Sequence, residues 1–167
     1  FGVYIWNVEQ TEAVIRLLKT IRPEIIIIIG GPEVSYEYGE QSIVHHADHL
    51  VVGQGDLTFA DTCRKLLAAK PVDKIIHALP FELHDILLPY SCYTDEDIAH
   101  RIIYVEASRG CPFKCEFCLS ALDKTAVPFA LDLFLDNMQT LYARGARHFK
   151  FVDRTFNLKV ESSVRIM

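Results

Sequence analysis

The chain reads as an α/β protein, the C-terminal part of a doubly wound parallel sheet followed by the opening strand-helix-strand of a second array. Three observations predict this. Short β-branched runs alternate with amphipathic helical stretches; glycine turns follow the runs at 25–29 and 48–52; and a proline-punctuated stretch separates two such series.

Phe1-Gly-Val-Tyr-Ile-Trp6 predicts a strand, after which Asn7 offers an N-cap and Gln10 completes a capping-box pattern. The helix that follows is expected to bury Val14, Leu17, Leu18 and Ile21, and Arg22-Pro23 ends it. Ile25 to Ile29 is apolar on both faces and β-branched throughout, as a central parallel strand covered on both sides requires. Gly30-Gly31-Pro32 turns the chain at the C-terminal end of that strand, the end where open α/β sheets bind ligands. A helix is expected from about Tyr38 to Ala47, then a strand at 48–52 and a second glycine turn, Gly53-Gln-Gly55-Asp56, with Asp56 capping the next helix. That helix carries Phe59, Cys63, Leu66 and Leu67 on one face, which makes Cys63 a small core residue. A flavodoxin-like sheet has five strands and three are visible, so two earlier βα units are expected upstream of Phe1.

Lys70 to His100 reads as a connection broken by Pro71, Pro80 and Pro89 and closed by the acidic stretch 94–97. So long a structureless stretch is unusual within one domain. The expected division is therefore residues 1–69, a linker at 70–100, and residues 101–167, with Cys92 a bystander in the linker. In 101–108 Ile103, Val105 and Ala107 alternate with Tyr104, Glu106 and Ser108, a strand pattern. As the first strand of a (β/α) barrel it would present its C-terminal end, where such barrels keep their active sites. Ser120 to Val127 reads as irregular and Pro128 as the first turn of a helix with the stripe Leu131, Phe134, Leu135, Met138, Leu141 and Tyr142. Gly145 is placed to end it. A strand at 147–152 then leads into Asp153-Arg-Thr-Phe-Asn157.

At the exit of the first of these strands, Arg109-Gly-Cys-Pro-Phe-Lys-Cys-Glu-Phe-Cys118 places Cys111, Cys115 and Cys118 at a C-x3-C-x2-C spacing. Thiolates so close along a short loop suit a soft transition metal or an iron-sulfur cluster. A closed zinc site or an ordinary electron-transfer cluster takes four protein ligands, and the loop offers three. One coordination position is thus left for something else. Zinc with His148 or another histidine as fourth ligand is the competing structural reading. Five cysteines, an odd number, with three so closely packed, argue against a disulfide framework.

The cysteine spacing, with Gly110 and Pro112 around its first thiol and Phe117 before its last, resembles the signature of radical S-adenosylmethionine (SAM) enzymes. The resemblance implies that Cys111, Cys115 and Cys118 bind three irons of a [4Fe-4S] cluster, that SAM chelates the fourth, and that SAM is cleaved reductively to a 5′-deoxyadenosyl radical. It further implies that Phe117 covers cluster or adenine. Asp153, at the second strand's exit, would help hold the SAM amino group; as a carboxylate it could instead cap the following helix. The segments Tyr-Ile-Trp-Asn, Ile-Ile-Gly-Gly-Pro-Glu and Val-Val-Gly-Gln-Gly-Asp resemble the later strands of the cobalamin-binding domain that precedes the radical domain in one branch of the family. There Gly30 and Gly31 would let the backbone pass close to a corrinoid's nucleotide tail; the other reading makes them tight turns only. The implied cofactors are the cluster, SAM and cobalamin, and the implied reactions are methyl transfer or oxidative cyclisation of a small-molecule substrate, with an electron donor such as flavodoxin or ferredoxin. An iron-sulfur electron carrier and a non-enzymatic cobalamin module remain as alternatives.

Composition narrows the partners. In 167 residues, half hydrophobic, the net charge is -5, so no basic field attracts nucleic acid or an anionic membrane. The run at 25–29 is too short to span a bilayer, and with the clustered thiols this points to the cytoplasm. The chain begins at Phe1 inside a strand and stops at Met167 inside a helix, so a fragment is expected, without turnover of its own and prone to self-association through the Phe1–Trp6 edge.

Overall fold

The computed structural model describes residues 1–118, 126–157 and 159–167. The chain divides into two units, Phe1–Phe81 and Glu82–Met167. No helix among the described residues is long and apolar enough to cross a membrane.

In the first unit, residues 1–3 lie parallel to strand β1 (Ile28–Gly30), through a bridge between Gly2 and Gly30. β1 pairs in parallel with β2 (His49–Val52), and β2 with β3 (Ile75–His77), in the order β1-β2-β3. Helix α1 (Val8–Ile21), helix α2 (Ser42–His46) and helix α3 (Asp56–Leu67) make the crossovers, with a short 3-10 turn at Tyr38–Glu40. The parallel α/β architecture matches the expected class. β3 does not match the expected structureless connection. Its two isoleucines, Ile75 and Ile76, form too short a run to register as a strand, and pairing with β2 supplies what local pattern lacks.

The core of this unit is Val3, Ile15, Ile27, Ile29, Val34, Ile43, Val44, Ala47 and Leu50. It corrects several expectations. On α1 the inward face is Thr11 and Ile15, with Val8 and Leu18 packed beside them; Val14, Leu17 and Ile21 are exposed. Both stripes have helical spacing, and contact with the sheet selects the one rotated toward Val3. Asn7 precedes α1 without capping it, because its side chain is used in the turn before: Oδ1 accepts from the Tyr4 N–H at 2.8 Å and Nδ2 donates to the Gly2 carbonyl at 3.1 Å. The run at 25–29 is fully covered on one face only, with Ile27 and Ile29 buried, while on the other Ile28 is half-buried and Ile26 exposed. Asp56 is the first residue of α3, Gly55 taking the N-cap position, and α3 buries Thr62 while Phe59 and Leu67 are exposed.

The second unit begins with irregular chain and two 3-10 turns, then α4 (Asp95–His100), α5 (Leu131–Ala143) and α6 (Val160–Ile166). Thr94 caps α4 reciprocally, its hydroxyl accepting from the Asp97 N–H at 3.1 Å while Asp97 accepts from the Thr94 N–H at 3.0 Å. Strand β4 (Ile103–Val105) pairs in parallel with a strand that follows α5, at Phe149–Phe151, a βαβ unit. Between them β5 (Ser108–Gly110) and β6 (Ala126–Pro128) form an antiparallel pair; the later strand is β7. Pro128 therefore ends a strand and does not open the helix, which starts at Leu131; of the stretch 120–127 expected to be irregular, Ala126 and Val127 belong to β6 and residues 120–125 lie outside the described residues. The α5 stripe buries Phe134 and Leu141 and half-buries Leu131, Leu135 and Met138, while Tyr142 is exposed. Gly145 sits at φ +112° just past the helix, and Gly145 N–H to Tyr142 O with Ala146 N–H to Leu141 O, both 3.0 Å, close a Schellman cap.

Two predictions follow from the first unit. Gly31 has φ +123°, and a Cβ there would stand 2.8 Å from the Val3 nitrogen and closer still to its carbonyl oxygen. Gly31→Ala should cost about 3 kcal/mol or more in urea unfolding followed by circular dichroism, against about 0.5 kcal/mol or less for Gly39→Ala, where a Cβ meets open space. Asp48 accepts from the Ile27 N–H at 2.7 Å and pairs with Lys19 at 2.6 Å. Burial raises its pKa, but the Lys19 and Ile27 hydrogen bonds and the nearby charges of Lys19 and His49 outweigh it, and the group sits below its ordinary value. A lowered carboxylate contributes stability above its unfolded pKa of about 3.9, lost as pH falls through the folded value. Asp48→Asn should therefore flatten the acid limb of stability between about pH 5 and about pH 2, read from urea midpoints.

Candidate functional site

The cysteine loop leaves the sheet through a stretch of backbone in which several polar groups are held by side chains. β4 and β7 run side by side, so both chains exit at the same end, with Val152 N–H donating to Val105 O at 2.9 Å. Beyond Val105 the ladder stops. The buried Tyr90 hydroxyl donates to the Glu106 carbonyl at 3.2 Å and accepts from the Glu106 N–H at 3.0 Å. Burial raises the pKa of that hydroxyl; the Glu106 backbone hydrogen bond opposes this, and the Glu106 and Asp153 charges add to it.

The next two N–H groups go to Asp153. Its Oδ1 accepts from Ser108 N at 2.6 Å and Ser108 Oγ at 2.7 Å, and its Oδ2 accepts from Ala107 N at 3.0 Å. Asp153 does not cap the following helix, which starts at Val160 with Lys159 before it. Its carboxylate is turned back onto the first strand's exit because that is where orphan donors are. Glu106 and Arg109 close a two-point ion pair at 3.1 and 2.8 Å, and the Arg109 guanidinium lies 5.8 Å from the centre of the Phe129 ring. β5–β6 pairing then carries the chain to a buried Gly110 at φ +93°.

Cys111 follows, half-buried, its Sγ 3.3 Å from the Thr155 hydroxyl. Cys115 and Cys118 are exposed and joined by a turn, Cys118 N–H to Cys115 O at 3.0 Å. The three sulfurs are not gathered: no group of three or more His, Cys, Asp or Glu among the described residues is arranged to hold a metal. Metal-site ligands are drawn together by the bonds they form. In kind the donor set suits a thiolate-bound cluster, being three thiols on one short loop with no disulfide among them. Phe117 is 94% exposed and covers nothing. His148 precedes β7, its carbonyl accepting from the Ile103 N–H at 3.0 Å, and so stands at the opposite strand end from the cysteines, which removes it as a fourth zinc ligand. Among the described residues of this unit lie cavities of about 70 Å³ beside Ser108, Phe129 and Phe156 and about 370 Å³ beside Met138, Tyr142 and Phe151, and no cysteine lines either of these.

In the first unit the C-terminal strand ends carry the glycine turns. Gly30 bonds both ways with residues 1–3, and Gly31 backs onto Val3, so the chain's own packing already requires the absence of a side chain at 31. The Ser35 hydroxyl donates to the Gly31 carbonyl at 2.8 Å and accepts from the Gly53 N–H at 3.1 Å, tying the two turns together. Sequence reasoning missed Ser35, whose one signal is a hydroxyl four residues past a glycine pair. With glycine at 30, 31, 53 and 55, this edge is largely bare backbone, which suits close approach by a large planar ligand's tail.

Residues 1–62 match the family described as B12 binding domain. The chain is 24% identical over 181 residues to an uncharacterized methyltransferase of Pyrococcus horikoshii, covering 92% of this chain and 38% of that protein. It is 24% identical over 141 residues to a 2-(S-pantetheinyl)-carbapenam-3-carboxylate methyltransferase of Streptantibioticus cattleyicolor. Over 141 residues it is 26% identical to the cobalamin-dependent radical SAM methyltransferase TokK of Streptomyces tokunonensis. Each of the latter two matches covers 69% of this chain and 21% of the relative. The chain thus spans well under half the length of these curated relatives.

The Tyr90 hydroxyl gives this site a structural test. Tyr90→Phe leaves both polar groups of Glu106 without their partner and should cost about 1–3 kcal/mol. Amide exchange at Glu106 should speed up accordingly, measured by hydrogen-deuterium exchange.

Proposed function

We propose that this chain, whose residues 1–62 match the B12 binding domain family, spans the junction between the corrinoid-binding and radical SAM regions of a cobalamin-dependent radical SAM methyltransferase. The observation that carries the reading is the pairing, on one chain, of that domain with three thiols at C-x3-C-x2-C spacing on the exit of the first strand of a parallel βαβ unit. The names of the relatives support the methyl-transfer class.

In this reading Cys111, Cys115 and Cys118 hold three irons of a [4Fe-4S] cluster, and Phe117, free of other packing, folds over the cluster or the adenine. When bound, the cluster supplies the electron that cleaves SAM reductively. The chain's own work is positional. Tyr90, Asp153 and the Glu106–Arg109 pair fix the strand exit that presents the loop, and Asp153 keeps acceptor capacity on Oδ2 for an ammonium group. The glycine turn at Gly30 and Gly31 would be the backbone that a corrinoid tail passes. The reading brings with it a small-molecule substrate, an electron donor such as flavodoxin or ferredoxin, and a reducing, cytoplasmic location.

An iron-sulfur carrier is the second reading, favoured by the exposure of the loop. The two part on one measurement. The chain, loaded anaerobically with iron and sulfide and reduced with dithionite, should give an EPR signal that changes when SAM is added. Cys111→Ala, Cys115→Ala and Cys118→Ala should each abolish it, while Cys63→Ala and Cys92→Ala keep it. A cluster signal indifferent to SAM would select the carrier, and full iron retention without these three thiols would overturn both.

A further inference from the structure

We propose that Thr155 is a positioning residue for Cys111, its hydroxyl donating a hydrogen bond to the sulfur and thereby raising the reduction potential of a cluster bound there; this rests on the cluster reading above. The contact joins two separately anchored segments. On one side, β5–β6 pairing and the left-handed Gly110 fix the backbone immediately before Cys111. On the other, Thr155 lies between Asp153, clamped to Ala107 and Ser108, and Phe156, whose ring packs on Phe151 at 4.6 Å between centroids and whose carbonyl accepts from the Ser163 hydroxyl at 3.2 Å. With Asp153 and Phe156 held on either side of it, the Thr155 hydroxyl lies 3.3 Å from Cys111 Sγ. Cys111 is also the half-buried cysteine of the trio, so the bond lies where water competes least.

The chemistry sets the sign. A thiolate bound to iron is an acceptor only, so the hydroxyl must donate. Such a bond offsets negative charge on sulfur, and that charge grows when the cluster takes up an electron. The reduced state gains more than the oxidised one, and the potential rises. Outer contacts of this kind orient ligands as well as tuning them.

The test is an EPR-monitored redox titration of the reconstituted chain, with dithionite as reductant and iron content measured alongside. Thr155→Val, which keeps the shape and loses the donor, should shift the couple to a more negative potential, and Thr155→Ser should restore it to the wild-type side. If Thr155→Val takes up no cluster, Thr155→Ala carries the same comparison; cluster retained by Thr155→Ser alone also supports the assignment. Equal potentials in wild type and Thr155→Val, or a shift or cluster loss in Thr155→Ser matching the others, overturns it. A wild-type chain that binds no cluster sinks the cluster reading itself, a separate outcome.

Discussion

Two parallel strands that end side by side leave a shared problem: the chain leaving each of them has backbone donors with no ladder to join. In the second unit one carboxylate resolves it. Asp153, on the exit of β7, takes the N–H groups of Ala107 and Ser108 and the Ser108 hydroxyl from the exit of β4, so the two departures become one braced corner. A charged acceptor on neutral donors makes a stronger bond than a peptide carbonyl would. Everything that presents the cysteine loop depends on that corner: the turn into β5, the β5–β6 pairing, and the backbone at Gly110.

The first unit meets the same problem with weaker means. The exits of β1 and β2 are bridged by a hydroxyl, Ser35, spanning Gly31 and Gly53. A charged brace would fill the edge with a side chain and its hydration. A hydroxyl between bare glycines leaves main chain open to a ligand. The contrast fits the division of labour proposed for the two units, one edge meeting a large organic cofactor and the other holding a metal-binding loop in place.

Much of this was legible in the sequence where pattern and packing agree. The parallel class, the α5 stripe centred on Phe134 and Leu141, the glycine that ends α5 and the placement of the cysteine loop at a strand exit all follow from local period and turn chemistry. What was not legible depended on contacts distant along the chain. Whether α1 turns Val14 or Ile15 inward is undecided by spacing, since both stripes are helical, and the sheet decides it. Asn7 has the chemistry of a cap and spends it on Gly2 and Tyr4. β3 is a strand only because β2 lies beside it. At the site, the C-x3-C-x2-C spacing named the ligand candidates, but the roles of Tyr90, Ser35 and Thr155 came from partners 16, 18 and 44 residues away.

The contact between Gly31 and Val3 bears on how relatives of this chain are to be sorted. Selection for a well-folded sheet suffices to keep a hydrogen where a side chain would stand at position 31, because the neighbouring main chain fills that space. A homologue that bound no corrinoid would hold on to this residue all the same. Classifying members of the group by vitamin dependence therefore has to lean on positions whose side chains touch the vitamin alone, and a glycine doublet at this turn should carry no weight in that decision.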